Sequence, residues 1–137
     1  EGALIPQVEA IIHDGIPVMG HVGLLPQTAE GGYRRQGRTQ GEAAAILADA
    51  IALDNAGCFA IVIEAVDPAV ASAITPRVGA PTIGIAAGSD CDGQVLVSTD
   101  LVGLLPSPPP FVTPRANLHQ VITDAARAFA EDVRQPD

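Results

Sequence analysis

Residues 58–68 read CFAIVIEAVDP. The run 59–63 is apolar and rich in β-branched side chains, the composition of a strand covered on both faces. It finishes on an acid, Glu64. A buried charge without a partner costs more than the ~2–7 kcal/mol of an unpaired neutral polar group. A strand that ends this way calls for a partner or a site at its carboxyl end. Asp67-Pro68 follows at once, a helix N-cap with proline at the first helical position. The stretch therefore predicts a strand that turns directly into a helix.

The same unit recurs on either side. Upstream, GEAAAILADAIALDNAG (41–57) reads as an Ala-rich helix closed by Gly57. Before it, IPVMGHVGL (16–24) is a short strand with a glycine-rich end, and ALIPQVEAIIHDG (3–15) carries Leu4, Ile5, Val8, Ile11 and Ile12 as a helical stripe stopped by Gly15. Between them LPQTAEGGYRRQGRTQ (25–40) is a polar loop long enough to carry function. Downstream, APTIGIAAG (80–88) is a further apolar strand, and QVLVSTDLVGLL (94–105) reads as a short strand or a helix. The stretch PSPPPFVTPR (106–115) is a connector, and residues 116–135 form a final amphipathic helix. Alternation at this spacing makes βα units around a parallel sheet.

Composition narrows the function. The chain has 137 residues, 47% hydrophobic, with a formal charge of −9. One domain with a substantial core is expected. The acidic balance argues against nucleic acid, whose phosphates need basic partners. No apolar run approaches the ~20 residues that cross a bilayer, and a cytoplasmic protein is expected. All seven basic residues are arginine, so no lysine of this chain can form a Schiff base. Cys58 and Cys91 have no metal-ligand spacing and read as reduced thiols.

In parallel α/β folds ligands gather at the carboxyl ends of the strands. Those ends bear His21, Glu64 and Asp90, and Glu1 stands just ahead of the first helix. Read from residues alone, each has a structural alternative. His21 could be a satisfied strand-end histidine and Glu64 half of a structural ion pair. Arg34, Arg35 and Arg38 could be a solvated loop face.

The segments PVMGHVGLLPQ, GGYRRQGRT, DAIALDNAGCFAIVIEAV, PTIGIAAGSDCDGQVLV and PPFVTPRANL, in this order, resemble the ketopantoate hydroxymethyltransferase family. The resemblance implies the second half of a (β/α)8 TIM-type barrel of the phosphoenolpyruvate/pyruvate-binding kind, followed by a C-terminal helix. Residues 1–137 are then a single unit, and the N-terminal half of the barrel is absent from it. The implied activity is transfer of a hydroxymethyl group from 5,10-methylenetetrahydrofolate to α-ketoisovalerate in pantothenate and coenzyme A biosynthesis, with Mg2+ assisting enolate formation. By the same resemblance Glu64 is the acid/base residue, His21 lies against the keto acid, and Glu1, in EGA, matches a metal-associated glutamate. The arginine loop would close over the site or hold the folate. The implied partners are a polypeptide supplying the other four βα units, without which no active monomer is expected, and further copies in a ring-like oligomer such as a decamer. Three positions depart from the family pattern: EGA for EGG, GIAAG for GIGAG and PPF for PKF. They leave open a related enzyme acting on another α-keto acid, or a non-catalytic barrel subunit.

Overall fold

A computed structural model describes residues 4–25 and 34–135. Four strands alternate with helices: α1 (Ile5–His13), β1 (Met19–Gly23), α2 (Gln40–Asn55), β2 (Ala60–Glu64), α3 (Pro68–Ile74), β3 (Thr82–Ile85), β4 (Gly93–Gln94), α4 (Ser98–Leu101) and α5 (Leu118–Arg134). The strands are parallel and lie in the order β1-β2-β3-β4. Sequential order without a reversal separates this sheet from a doubly wound fold and matches consecutive units of a (β/α)8 barrel. By compactness the chain divides into two units, residues 1–95 and residues 96–137.

The first unit is built on one face of the sheet. Right-handed crossovers in sequential order put the connecting helices on the same side. Gly20 and Val22 of β1 are in register with Ile61 and Ile63 of β2. Val22, Ile61 and Ile63 pack with Ile46 and Ala50 of α2 and Val70, Ala71 and Ile74 of α3 in one core. A side chain at Gly20 would press on Leu53, so glycine here lets α2 lie close to β1. Alternation sends Met19, His21, Val62, Glu64 and Ile83 to the other face. There Met19 is exposed, and His21, Val62 and Ile83 are only partly covered. The apolar strands read from the sequence as covered on both faces are thus fully packed on one.

Local chemistry explains the helix ends. Thr39 accepts a hydrogen bond from the Glu42 amide at the start of α2. Asp67 accepts from the Ala69 amide at the start of α3, with Pro68 in the first turn. Asp54, in the last turn of α2, accepts from the amides of Gly79 and Ala80 and anchors the approach to β3. Between α1 and β1 a groove of about 240 Å3 is lined mainly by Leu4, Ile5, Val8, Met19 and Leu53. Among the described residues no strand pairs with the other edge of β1. Neither cysteine is in a disulfide. Burial, then the nearby Asp54 charge, raises the Cys58 thiol above its ordinary pKa; burial also raises Cys91.

Of the segment 94–105, read as a short strand or helix, only Gln94 belongs to a strand, the end of β4, and Ser98–Leu101 form the helix α4. A contact distant in sequence fixes β4. The Asp92 carboxylate accepts from the amide and hydroxyl of Thr82, at 2.8 and 2.9 Å, and so ties the start of β4 to the start of β3. In the second unit the amides of Arg115, Leu118 and His119 donate to the carbonyls of Leu101, Val102 and Gly103, closing the proline-rich connector at its base. Helix α5 is capped by Asn117. Its apolar side chains, among them Val121, Ile122, Phe129 and Val133, are exposed. No described helix is long and apolar enough to cross a membrane.

Asp92 supplies a pH test of this architecture. The Thr82 amide and hydroxyl hold its carboxyl below the ordinary pKa. A depressed native pKa gives stability that is complete above the unfolded value of ~3.9 and is lost as pH falls through the native value. Asp92→Asn is therefore expected to lower the urea midpoint at pH 7. The difference from the parent should shrink below about pH 4. An equal difference at pH 3 and pH 7 would refute the assignment.

Candidate active site

β2 and β1 bring two of the expected residues together. Glu64 pairs in register with Gly23, and His21 with Val62, so the acid and the imidazole are diagonal neighbours on the same face. His21 Nε2 lies 3.2 Å from Glu64 Oε2, with side-chain exposures of 33% and 10%. The separation is that of an ion pair, but the alignment is not that of a hydrogen bond, and Nε2 is itself buried. Glu64 closes β2 at its carboxyl end, where the parallel-sheet rule places ligand chemistry. Strand β1, by contrast, runs on to Gly23, so His21, read as its end, is its middle residue and reaches the acid diagonally. A carboxylate so placed can accept a proton from a substrate, and the imidazole beside it can hold its charge or donate to an oxygen.

Backbone geometry shapes this rim. Three adjacent strands leave through left-handed residues: Gly23 at φ +94°, Ala65 at φ +50° and Ala86 at φ +53°. At Gly23 only glycine fits, since a Cβ would collide with the Glu64 carbonyl oxygen and the Val66 side chain. The Leu24 amide donates to that same carbonyl at 2.9 Å. Ala65 and Ala86 hold a conformation that costs an L-residue about 1–2 kcal/mol. Ala86 is the departure GIAAG from the pattern GIGAG, so the change puts a methyl where the backbone favours glycine. None of these three was singled out from the sequence as a site residue. The second glycine of GHVGL and the GIAAG departure were the available signals for two of them, and nothing local marked Ala65.

The described end of the arginine-bearing loop, residues 34–39, lies against this end of β2. Gln36 forms a parallel bridge with Val66. Its amide donates to the Ala65 carbonyl, and its own carbonyl accepts from the Asp67 amide, at 2.8 and 2.9 Å. The side chain of Arg34 lies 3.8 Å from Glu42, and the Arg38 amide donates to the same carboxylate. Arg34 thus leans on the first turn of α2, while Arg35 and Arg38 are exposed. Asp90 is exposed in the loop after β3 and accepts from Ser89. Glu1, the expected metal-associated residue, lies outside the described residues. Among the described residues no three His, Cys, Asp or Glu side chains gather as ligands for a metal ion.

The two kinds of left-handed position make opposite predictions. Ala86→Gly should stabilise the fold by about 1 kcal/mol, a rise in Tm of roughly 2–4 °C for a domain of this size. Gly23→Ala should lower Tm by at least as much, because the clash is with backbone. A fall in Tm for Ala86→Gly, read by differential scanning calorimetry, would contradict the strain at β3.

Comparison with known proteins gives a consistent result. The sequence model of the family described as ketopantoate hydroxymethyltransferase matches residues 1–137. Proteins named 3-methyl-2-oxobutanoate hydroxymethyltransferase are similar to it. That of Acidothermus cellulolyticus is 54% identical over 136 residues, covering 95% of this chain and 50% of its own length. That of Mesorhizobium japonicum is 53% identical over 131 residues, covering 93% and 46%. That of Synechococcus elongatus is 49% identical over 132 residues, covering 96% and 49%. The chain spans about half the length of the curated relatives it matches. With the motifs, the sequential parallel sheet and the match over its whole length, the chain belongs to the ketopantoate hydroxymethyltransferase family.

Proposed function

We propose that this chain carries the acid/base half of a hydroxymethyltransferase that converts α-ketoisovalerate, 3-methyl-2-oxobutanoate, to ketopantoate. The His21–Glu64 contact at the end of β2 is the observation that carries the reading. Family membership supplies the reaction class, and the pair supplies groups of the right chemistry in the right place. In this reading Glu64 removes the proton from C3 of the keto acid. The carbon nucleophile so formed takes the one-carbon unit of 5,10-methylenetetrahydrofolate; with water, the products are ketopantoate and tetrahydrofolate. His21 steadies the Glu64 carboxylate across 3.2 Å and is placed to donate to an oxygen of the substrate or of the new hydroxymethyl group.

Mg2+ would supply Lewis-acid stabilisation of the enolate when bound. Its ligands would have to come largely from polypeptide beyond the described residues, Glu1 among the candidates. The edge of β1 that no described strand pairs with and the partly covered face that bears His21 support the same view of the assembly. An exposed strand edge asks for a neighbour. Four further βα units, on the same polypeptide or another, would close the barrel over that face. The contact of His21 with Glu64 favours turnover over a non-catalytic subunit.

Glu64→Gln keeps the shape and removes the base. In the enzyme carrying this chain it is expected to lower kcat by roughly 10²–10⁴-fold, the usual contribution of a general base. His21→Asn should cost less. The assay is incorporation of the methylene carbon into α-ketoisovalerate. Turnover unchanged in Glu64→Gln would remove Glu64 from the mechanism.

A further inference from the structure

Glu64 is followed by a residue whose backbone conformation is unusual for its type. Ala65 sits at φ +50°, in a region that glycine enters freely and other residues rarely adopt. It is almost wholly buried, at 4% exposure. Both of its backbone polar groups are held. The amide donates to the Ile85 carbonyl of β3 at 2.9 Å, and the carbonyl accepts from the Gln36 amide at 2.8 Å. One residue earlier, the Glu64 carbonyl accepts from the Leu24 amide beyond β1. The end of β2 is thus clamped from both sides.

The left-handed turn also changes which way the chain faces. In an unbroken strand Val66 would share the face of Glu64, two residues apart. Instead Val66 is fully buried in the core with Ile61 and Ile63. The turn at Ala65 inserts a change of parity between the acid and this anchor. Glu64 keeps the face of His21, while the next residue but one is locked among the helices. Backbone strain of this kind persists where its surroundings over-determine it, and it clusters where a reacting group must be held.

We infer that Ala65 is a positioning residue: its clamped left-handed backbone holds the Glu64 carboxylate against His21. The inference rests on the role of Glu64 proposed above. Alanine at this φ has one narrow well, whereas glycine has several. Replacing the methyl by hydrogen removes the strain and also the restriction.

The test is Ala65→Gly in the enzyme carrying this chain, with Ala86→Gly as control. Ala86 has the same left-handed backbone one strand away but does not adjoin Glu64. Ala65→Gly should keep or raise Tm while kcat falls roughly tenfold, within the ~10²-fold that a 1 Å misplacement can cost. KM should change little, since the loss concerns the reacting group rather than substrate binding. Ala86→Gly should raise Tm and lower kcat clearly less than Ala65→Gly does. In a Glu64→Gln background, Ala65→Gly should cost nothing further. A strong loss in Glu64→Gln with wild-type kcat in Ala65→Gly overturns the role of Ala65 alone. Wild-type kcat in Glu64→Gln overturns the role of Glu64 and this proposal with it. Equal losses in Ala65→Gly and Ala86→Gly mark a general effect of rim glycines and also overturn it.

Discussion

The burial of Ile61 and Ile63 decides the geometry of everything near the rim. Both side chains are completely inaccessible, packed with α2 and α3. Truncating a buried isoleucine to alanine costs about 2–5 kcal/mol, so β2 cannot easily present its other face to the helices. Strand alternation then fixes Glu64 on the face opposite them. A register slip of one residue would bury the acid under α3 and expose Ile63. The hydrophobic contact that makes the fold is also what aims the carboxylate.

That face carries His21, and the parallel register of β1 and β2 brings the two side chains into contact. Their approach depends on glycine as much as on the polar groups. Gly20 lets α2 settle against β1, and Gly23 lets β1 close on the Glu64 carbonyl. Beyond the strands, Gln36 ties the returning loop to Ala65 and Asp67. Backbone bonds therefore hold the end of β2 that carries Glu64, while the sheet face around the pair is only partly covered.

Much of the first unit was legible in the residues. Helix periodicity marked α1 and α2, and Asp67-Pro68 marked the start of α3 where Asp67 caps it. The apolar run 59–63 marked β2. These are local signals, set by propensity and capping. The short strand β4 was not separable from the helix beside it, because Asp92 fixes it through Thr82, ten residues away. Nor could the strands declare which face meets the helices, since β2 is apolar on both. Residue type and strand-end position pointed to His21 and Glu64, but their contact needs the register between strands, which no local pattern encodes. Ala65 was hidden for a different reason: alanine is the strongest helix former and gives no local sign of a left-handed backbone. Glu1 lies beyond the described residues, and its role as a metal ligand stays a proposal.

The central claim is that Glu64 takes the C3 proton of the keto acid. Proton NMR of α-ketoisovalerate in D2O, with Mg2+ and the enzyme carrying this chain but without folate, reads that step alone. Exchange of the C3 proton for deuterium should proceed with the parent enzyme and be lost in Glu64→Gln. Exchange at the parent rate in Glu64→Gln would contradict the account.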